Sequence, residues 1–268
     1  MSKQPLIPPN GKVNLADYDP SYSGGFTSQA DVQSMLDKDL LHLIDRQEVL
    51  YAEAKHALLI VVQAMDTGGK DGLIAHVFRG LNPAGVEVVS FKAPTSQELS
   101  HDFLWRVHQH APAKGLITVF NRSHYEDVLV ARVHNLVPKD VWKARYDQIN
   151  VFEALLTASG TTILKFFLYI SKDEQKRRLD DRLKQPEKHW KFNTGDLVER
   201  EHWDEYMEAY EALLSKCNPQ NAPWHIVPAN HKWYRNYIVT QTIVAALENM
   251  KMSYPPPAPG LDKVVVPD

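Results

Sequence analysis

A chain of 268 residues with 44% hydrophobic content and a formal net charge of −3 fits a single large α/β domain. The acidic balance leaves no global basic field, so a bound polyanion must be held by a local cluster of cations, and nucleic acid is not an expected partner of such a surface. One cysteine, Cys217, excludes an internal disulfide and a cysteine-built zinc site, and no apolar run approaches the roughly 20 residues of a membrane helix. A soluble, cytoplasmic protein with no membrane partner is the expectation.

Residues 1–28 contain Pro5, Pro8, Pro9, Pro20, Gly24 and Gly25, and read as an extended N-terminal arm. From Ser28 to about Lys55, apolar residues fall close to a 3.6-residue spacing and predict a long helix. Residues 57–72, ALLIVVQAMDTGGKDG, then run a buried strand (Ala57 to Val62) into a glycine-rich turn that ends in Gly69-Lys70. This order of elements suits phosphate binding. Glycines let backbone N–H groups point inward, a helix starting near Lys70 adds its positive N-terminal end, and the lysine ammonium reaches terminal phosphates. The pattern is a relaxed GxxxxGK, with Ala64 at its start and Asp71 where a magnesium-binding Ser or Thr usually stands. Thr67, Gly68, Gly69, Lys70 and Asp71 are the candidate phosphate ligands, and Lys70 is expected to face solvent. Asp66 in the same loop suggests Mg2+ or a general base, with a turn-forming aspartate as the plain structural reading. Asp71 reads equally well as a first-turn carboxylate facing the helix dipole.

A helix over about 70–80 and a strand Val86 to Phe91 follow, and then a helix from Ser96 to Lys114-Gly115, opened by an imperfect capping box. A third strand, Leu116 to Phe120, delivers the chain to Asn121-Arg-Ser-His-Tyr-Glu-Asp127. So many polar and ionisable groups after a buried strand exceed what a turn requires. A P-loop enzyme commonly has an aspartate at this strand end to support the metal. Here Asn121 stands there, so Glu126 or Asp127 must supply the acid, while Arg122 adds a cation. Val137 to Ser159 is helical and closes at Gly160; Thr161 to Ile170 is a fourth strand; residues 172–184 form a highly charged helix. Within it Arg178 and Arg182 share a face and Arg177 lies beside them, so the segment reads either as a cationic lid over phosphates or as a solvated surface helix. A helix over 196–216, a strand Trp224 to Val227, a helix over 232–252 and a Pro-rich tail over 253–268 complete the chain. Five strands alternating with helices predict an open, mostly parallel sheet wound on both faces, with ligands at the carboxyl ends of the strands.

Three segments, AMDTGGKDG at 64–72, FNRSHYEDVLV at 120–130 and DEQKRRLDDRLKQPEKHWKF at 173–192, together resemble the polyphosphate kinase 2 family, most closely its bifunctional branch. NPAGVEVVSFKAPTSQEL (82–99) and APWHIVPANHKWYRN (222–236) extend the resemblance over roughly residues 30–250. It implies a P-loop kinase-like three-layer αβα sandwich, a single domain at 29–252 with a helical lid at about 172–195, and a homodimer or homotetramer. It also implies Mg2+-dependent phosphoryl transfer between inorganic polyphosphate and nucleotides, making ADP and ATP from AMP and ADP, with guanine nucleotides as an open alternative. By matching position, Asp66, Lys70, Arg122, Arg178 and Arg182 become catalytic candidates; Asn121 stands where other branches of the family carry an aspartate, and Asp127 is the substitute candidate to join Asp66 in holding the metal. Arg177 and Arg178 would contact polyphosphate. Asn121, Arg122, Glu126, Lys191 and Asn193 would line the nucleotide site. The competing readings are a nucleoside monophosphate kinase using ATP, and an inactive nucleotide-binding regulator.

Overall fold

In the computed structural model, which describes residues 6–8 and 11–267, five strands form one fully parallel sheet in the order β2-β3-β1-β4-β5. The strands are β1 (Ala57–Gln63), β2 (Val86–Ser90), β3 (Ile117–Asn121), β4 (Thr161–Tyr169) and β5 (Trp224–Pro228). Every residue of β1 is buried, because the strand lies at the sheet centre with helices on both faces and its β-branched Ile60, Val61 and Val62 pack on either side. Leu58 pairs with Ile117 of β3 on one side and Thr162 of β4 on the other. The chain leaves β1 toward β2 and β3, then crosses to β4 and β5. The direction of winding thus reverses around β1, and a crevice opens beyond its carboxyl end.

One helical layer contains α1 (Gln29–Glu53), α2 (Lys70–Val77) and α10 (Lys232–Asn249), where Val32, Leu36 and Leu40 pack against Tyr234 and Tyr237. On the other face lie α5 (Val130–Val133), α6 (Lys139–Ala158) and α9 (Trp203–Lys216). The expected α/β class, five parallel strands and three layers are all present. The two remaining long helices of the sequence reading are each broken. Residues 96–114 form only α3 (Ser96–Leu99) and α4 (Trp105–His108), since the Asp102 carboxylate accepts from the Leu104 N–H at 3.0 Å and turns the chain between them. The capping box is Thr95 with Glu98, one residue earlier than expected. Residues 196–216 divide at His202 into α8 (Gly195–Glu201) and α9. The charged helix is α7 (Lys172–Lys184), followed by a 3-10 turn at Pro186–Lys191.

Residues 1–5 and 9–10 of the N-terminal arm lie outside the described residues. From Gly11 onward the arm is docked: the Val13 N–H donates to Ser215 Oγ and the Leu15 N–H to Glu211 Oε1, both at 2.8 Å. No helix among the described residues is long and apolar enough to cross a membrane.

Candidate active site

The loop between β1 and α2 is shaped by two left-handed residues, Thr67 (φ +59°) and Gly69 (φ +94°). A Cβ on Gly68 would lie 2.5 Å from Ala64 Cβ and 2.8 Å from the Met65 carbonyl, so only glycine fits. Its floor is built by two arginines. Arg178 Nη1 donates to the carbonyls of Thr67 and Gly68, both at 3.1 Å, and Nη2 donates to the carbonyl of Ala229. Arg235 Nη1 donates to the Gly69 carbonyl at 3.1 Å. With carbonyls drawn backward onto these buried cations, the loop's other face is left for an anion.

That face borders a cleft of about 460 Å3 lined by Asp66 to Gly72, Ser90, Phe91, Lys92, Asn121, Arg122, Arg182, Trp190, Lys191 and Asp196. It stands at the carboxyl ends of β1, β2 and β3, where the winding rule puts a ligand. The Thr67 hydroxyl is buried here and has no hydrogen-bond partner among the described residues. Lys70 is buried rather than facing solvent, with Nζ donating to the Ala64 carbonyl at 2.9 Å. Burial and the like charge of Arg122 pull its pKa down against the opposing pull of Asp66, Glu126 and Asp71. Arg122 Nη2 donates to Asp66 Oδ1 at 2.6 Å and Nη1 to Glu126 Oε2 at 3.3 Å. Burial works against its charge, but the two carboxylates outweigh that and hold its pKa above the ordinary arginine value. Asn121 Nδ2 donates to Asp71 Oδ1 at 2.7 Å, so the strand-end amide orients the helix-start carboxylate.

A second cleft, about 490 Å3, is rimmed by apolar side chains, among them Pro94, Leu99, Val130, Leu136 and Val137, and carries Arg106, Glu126, Asp127 and Arg145. Phe91, Lys92 and Arg122 border both clefts.

The Polyphosphate kinase 2 (PPK2) family profile matches residues 27–255. The chain belongs to this family. It is 51% identical over 268 residues to the AMP/ADP-polyphosphate phosphotransferase of Meiothermus ruber, covering 98% of this chain and 99% of that one. It is 44% identical over 274 residues to the ADP-polyphosphate phosphotransferase of Rhodopseudomonas palustris, covering 98% and 95%. The crystal structure of polyphosphate kinase 2 from Arthrobacter aurescens TC1 superposes with a TM-score of 0.91 at 46% identity, over 94% of this chain and 90% of that one.

For a polyphosphate kinase 2 the placement of several expected residues is instructive. Asp66, Thr67, Gly68, Gly69, Lys70, Asp71, Asn121, Arg122, Arg182 and Lys191 converge on the first cleft. Asp127 does not join Asp66: it lines the second cleft, and its Oδ1 lies 2.9 Å from Arg145 Nη1. Burial raises the Asp127 pKa, countered by Arg145 and Arg106. Arg178 is not a lid arginine reaching for phosphate, because its donors are spent on loop carbonyls and on Glu174. Arg177 is exposed and paired with Glu174 and Asp181 on the helix surface, away from the cleft. Asn193 Oδ1 accepts from the Gly195 N–H at 2.9 Å and belongs to the turn before α8. Glu126 borders the second cleft and also accepts from Gln63 Nε2 at 2.9 Å.

Sequence reasoning missed Lys92, Asp196, Trp190 and Arg235. Lys92 follows the end of β2, so the strand-end rule alone would have flagged it. Arg235 and Asp196 carried no local signal, since α10 and the first turn of α8 meet the loop only through the tertiary fold.

Proposed function

We propose that the chain transfers phosphoryl groups between inorganic polyphosphate and adenine nucleotides, converting AMP to ADP and ADP to ATP and running in reverse when ATP is in excess. The observation that carries this reading is the junction of two clefts at Arg122 and Lys92. One is a cationic cleft on the phosphate loop; the other has apolar walls suited to a purine nucleoside. The end of the polyphosphate chain lies against Thr67 to Asp71, with Arg182 and Lys191 along its length. The nucleotide enters the second cleft with its phosphates toward Arg122.

A nonbridging oxygen of the nucleotide's terminal phosphate attacks the terminal phosphorus of the chain. The bond from that phosphorus to the bridging oxygen breaks, and the chain departs one phosphate shorter. The attacking oxygen is already ionised near neutral pH, so the protein's task is in-line placement and charge stabilisation rather than base catalysis. Lys70 and Arg122 supply the fixed positive charge, and Lys92, which has no ion-pair partner among the described residues, is free to meet phosphate from either side.

Mg2+ fits the first cleft. Asp66 and Asp71 offer hard carboxylate oxygens, and among the described residues no group of three or more His, Cys, Asp or Glu stands together. Mg2+ is commonly held by one or two carboxylates together with substrate phosphates and water. Bound there, it would neutralise the charge that develops on the phosphate oxygens. A cytoplasmic location, a homodimer or homotetramer and use of guanine nucleotides belong to the same reading; sedimentation and GMP or GDP as acceptors test the last two.

The test is to incubate the protein with Mg2+, polyphosphate and either AMP or ADP, and to resolve the nucleotides formed. ATP from ADP, and ADP then ATP from AMP, are expected. No product from either acceptor with folded protein would overturn the proposal.

A further inference from the structure

Behind the motif after β3 lies a charged cluster that touches neither cleft. Lys165 on β4 and Glu153 on α6 are both fully buried, with Nζ and Oε2 2.6 Å apart. Lys165 Nζ also donates to the Tyr125 hydroxyl at 2.9 Å and to the Cys217 carbonyl at 2.8 Å, so each of its three protons has an acceptor. The other oxygen of Glu153 accepts from the Tyr125 hydroxyl at 2.8 Å and lies 3.2 Å from His124 Nε2. The rings of Tyr125 and Trp224 flank the ammonium, each centroid 5.4 Å from Nζ. Burial opposes ionisation of Glu153, but Lys165 and His124 outweigh it and hold its pKa below the ordinary range.

Stability alone does not account for this cluster. Desolvating two charges is costly, and apolar side chains of similar volume commonly hold a core at least as well. Apart from the Cys217 carbonyl at the end of α9, what the pair grips is the 3-10 turn His124–Asp127. His124 and Tyr125 point inward to Glu153. Arg122, two residues before His124, and Glu126, next to Tyr125, point outward to the clefts. Arg122 has φ +63°, a backbone conformation that a non-glycine residue keeps only where its surroundings fix it.

We propose that Glu153 and Lys165 are positioning residues for phosphoryl transfer, acting through Tyr125 and His124 to fix the turn that sets the Arg122 guanidinium between Asp66 and Glu126. This rests on Arg122 serving the transfer proposed above. Removing the Tyr125 hydroxyl would loosen the turn by deleting its bonds to Glu153 and Lys165, while the ring stays in place to fill the core. The Arg122 guanidinium would then sample positions outside the junction of the clefts, and turnover would fall while the fold persists.

The experiment is a double-mutant cycle on the full chain, with polyphosphate, ADP and Mg2+, reading kcat and both KM values. Tyr125→Phe is expected to lower kcat roughly tenfold with a near-native melting curve, and Tyr125→Phe/Arg122→Ala to be within about twofold of Arg122→Ala alone, since effects through one residue do not add. Glu153→Gln, which leaves the buried Lys165 without its countercharge and lowers the melting temperature, should show the same non-additivity in the protein that remains folded, as judged by circular dichroism. Wild-type kinetics in both Tyr125→Phe and Glu153→Gln, or losses that multiply with Arg122→Ala, would overturn the inference. A wild-type protein with no transfer activity would instead fail the functional reading on which it stands.

Discussion

The Arg122 guanidinium and the Asp66 carboxylate meet at 2.6 Å, tying the motif after β3 to the phosphate loop after β1. The contact brings the site's fixed cation and its principal carboxylate to one point, facing the cleft at the sheet's winding reversal. In the transfer proposed above, Arg122 would stabilise phosphate charge, and Asp66 would hold Mg2+ while keeping the guanidinium in place.

Asp66→Asn retains the shape of this contact and removes its charge. Transfer is expected to fall by about a hundredfold or more, since the electrostatic term usually dominates such chemistry. The activity that remains should need more Mg2+ for half-saturation. A magnesium titration of initial rates, with circular dichroism as the check on folding, measures both.

Lys70→Met should abolish most transfer, by about a thousandfold, because a cation at the phosphoryl group is lost. Its effect on stability has the opposite sign. Burial lowers the pKa of Lys70 in the folded protein below its ordinary 10.5, so charging it disfavours the fold at neutral pH. Between the folded and unfolded pKa values the unfolded chain binds the extra proton, and wild-type stability rises with pH relative to the variant. Urea unfolding should therefore find Lys70→Met at least as stable as wild type at pH 7, with the gap closing as the pH approaches 10.5.

Arg177 and Arg178 are adjacent in sequence and opposite in consequence. Arg178 is 5% exposed and satisfies loop carbonyls; Arg178→Ala strips those partners and should cost about 3 kcal/mol and raise the KM for polyphosphate. Arg177 forms surface pairs, and Arg177→Ala should change stability by less than about 0.5 kcal/mol and leave both KM values unaltered. Thermal unfolding and steady-state kinetics on the two variants make the comparison.

Lys92 borders both clefts and is exposed, so its replacement tests the junction without disturbing the core. Lys92→Ala should lower kcat/KM for polyphosphate and for ADP together, by about tenfold, and Lys92→Glu by more, with unchanged melting. An effect on one substrate only would assign Lys92 to a single cleft.

The sheet was legible because its evidence is local: β1 is a run of apolar, β-branched residues ending in a glycine turn, and β4 is nearly continuous in apolar residues. The loop and the Asn121–Asp127 segment were legible for the same reason, since polar residues crowd directly after buried strands. The roles of α7 were less so. Helical spacing placed Arg178 with Arg182, but only the path of β5 into α10 brings the Ala229 and Asn230 carbonyls to Arg178 and makes it a clamp. Asp127 failed as a partner for Asp66 because its 3-10 turn carries it to the second cleft and to Arg145, a geometry that sequence separation does not encode. The breaks at Asp102 and His202 are local capping and turn events inside otherwise helical patterns.

The central claim, that the phosphate loop takes the end of an inorganic chain and hands its phosphoryl group to a nucleotide in the adjoining cleft, is tested by following label. Uniformly 32P-labelled polyphosphate is incubated with unlabelled ADP and Mg2+, and the ATP formed is degraded to locate the isotope. At initial rates, before nucleotide has passed through AMP, the account predicts label in the γ-phosphate alone, with about a thousandfold less formed by the Lys70→Met variant. Unlabelled ATP, or no ATP from polyphosphate while ATP readily phosphorylates AMP, would contradict it and point to a nucleoside monophosphate kinase.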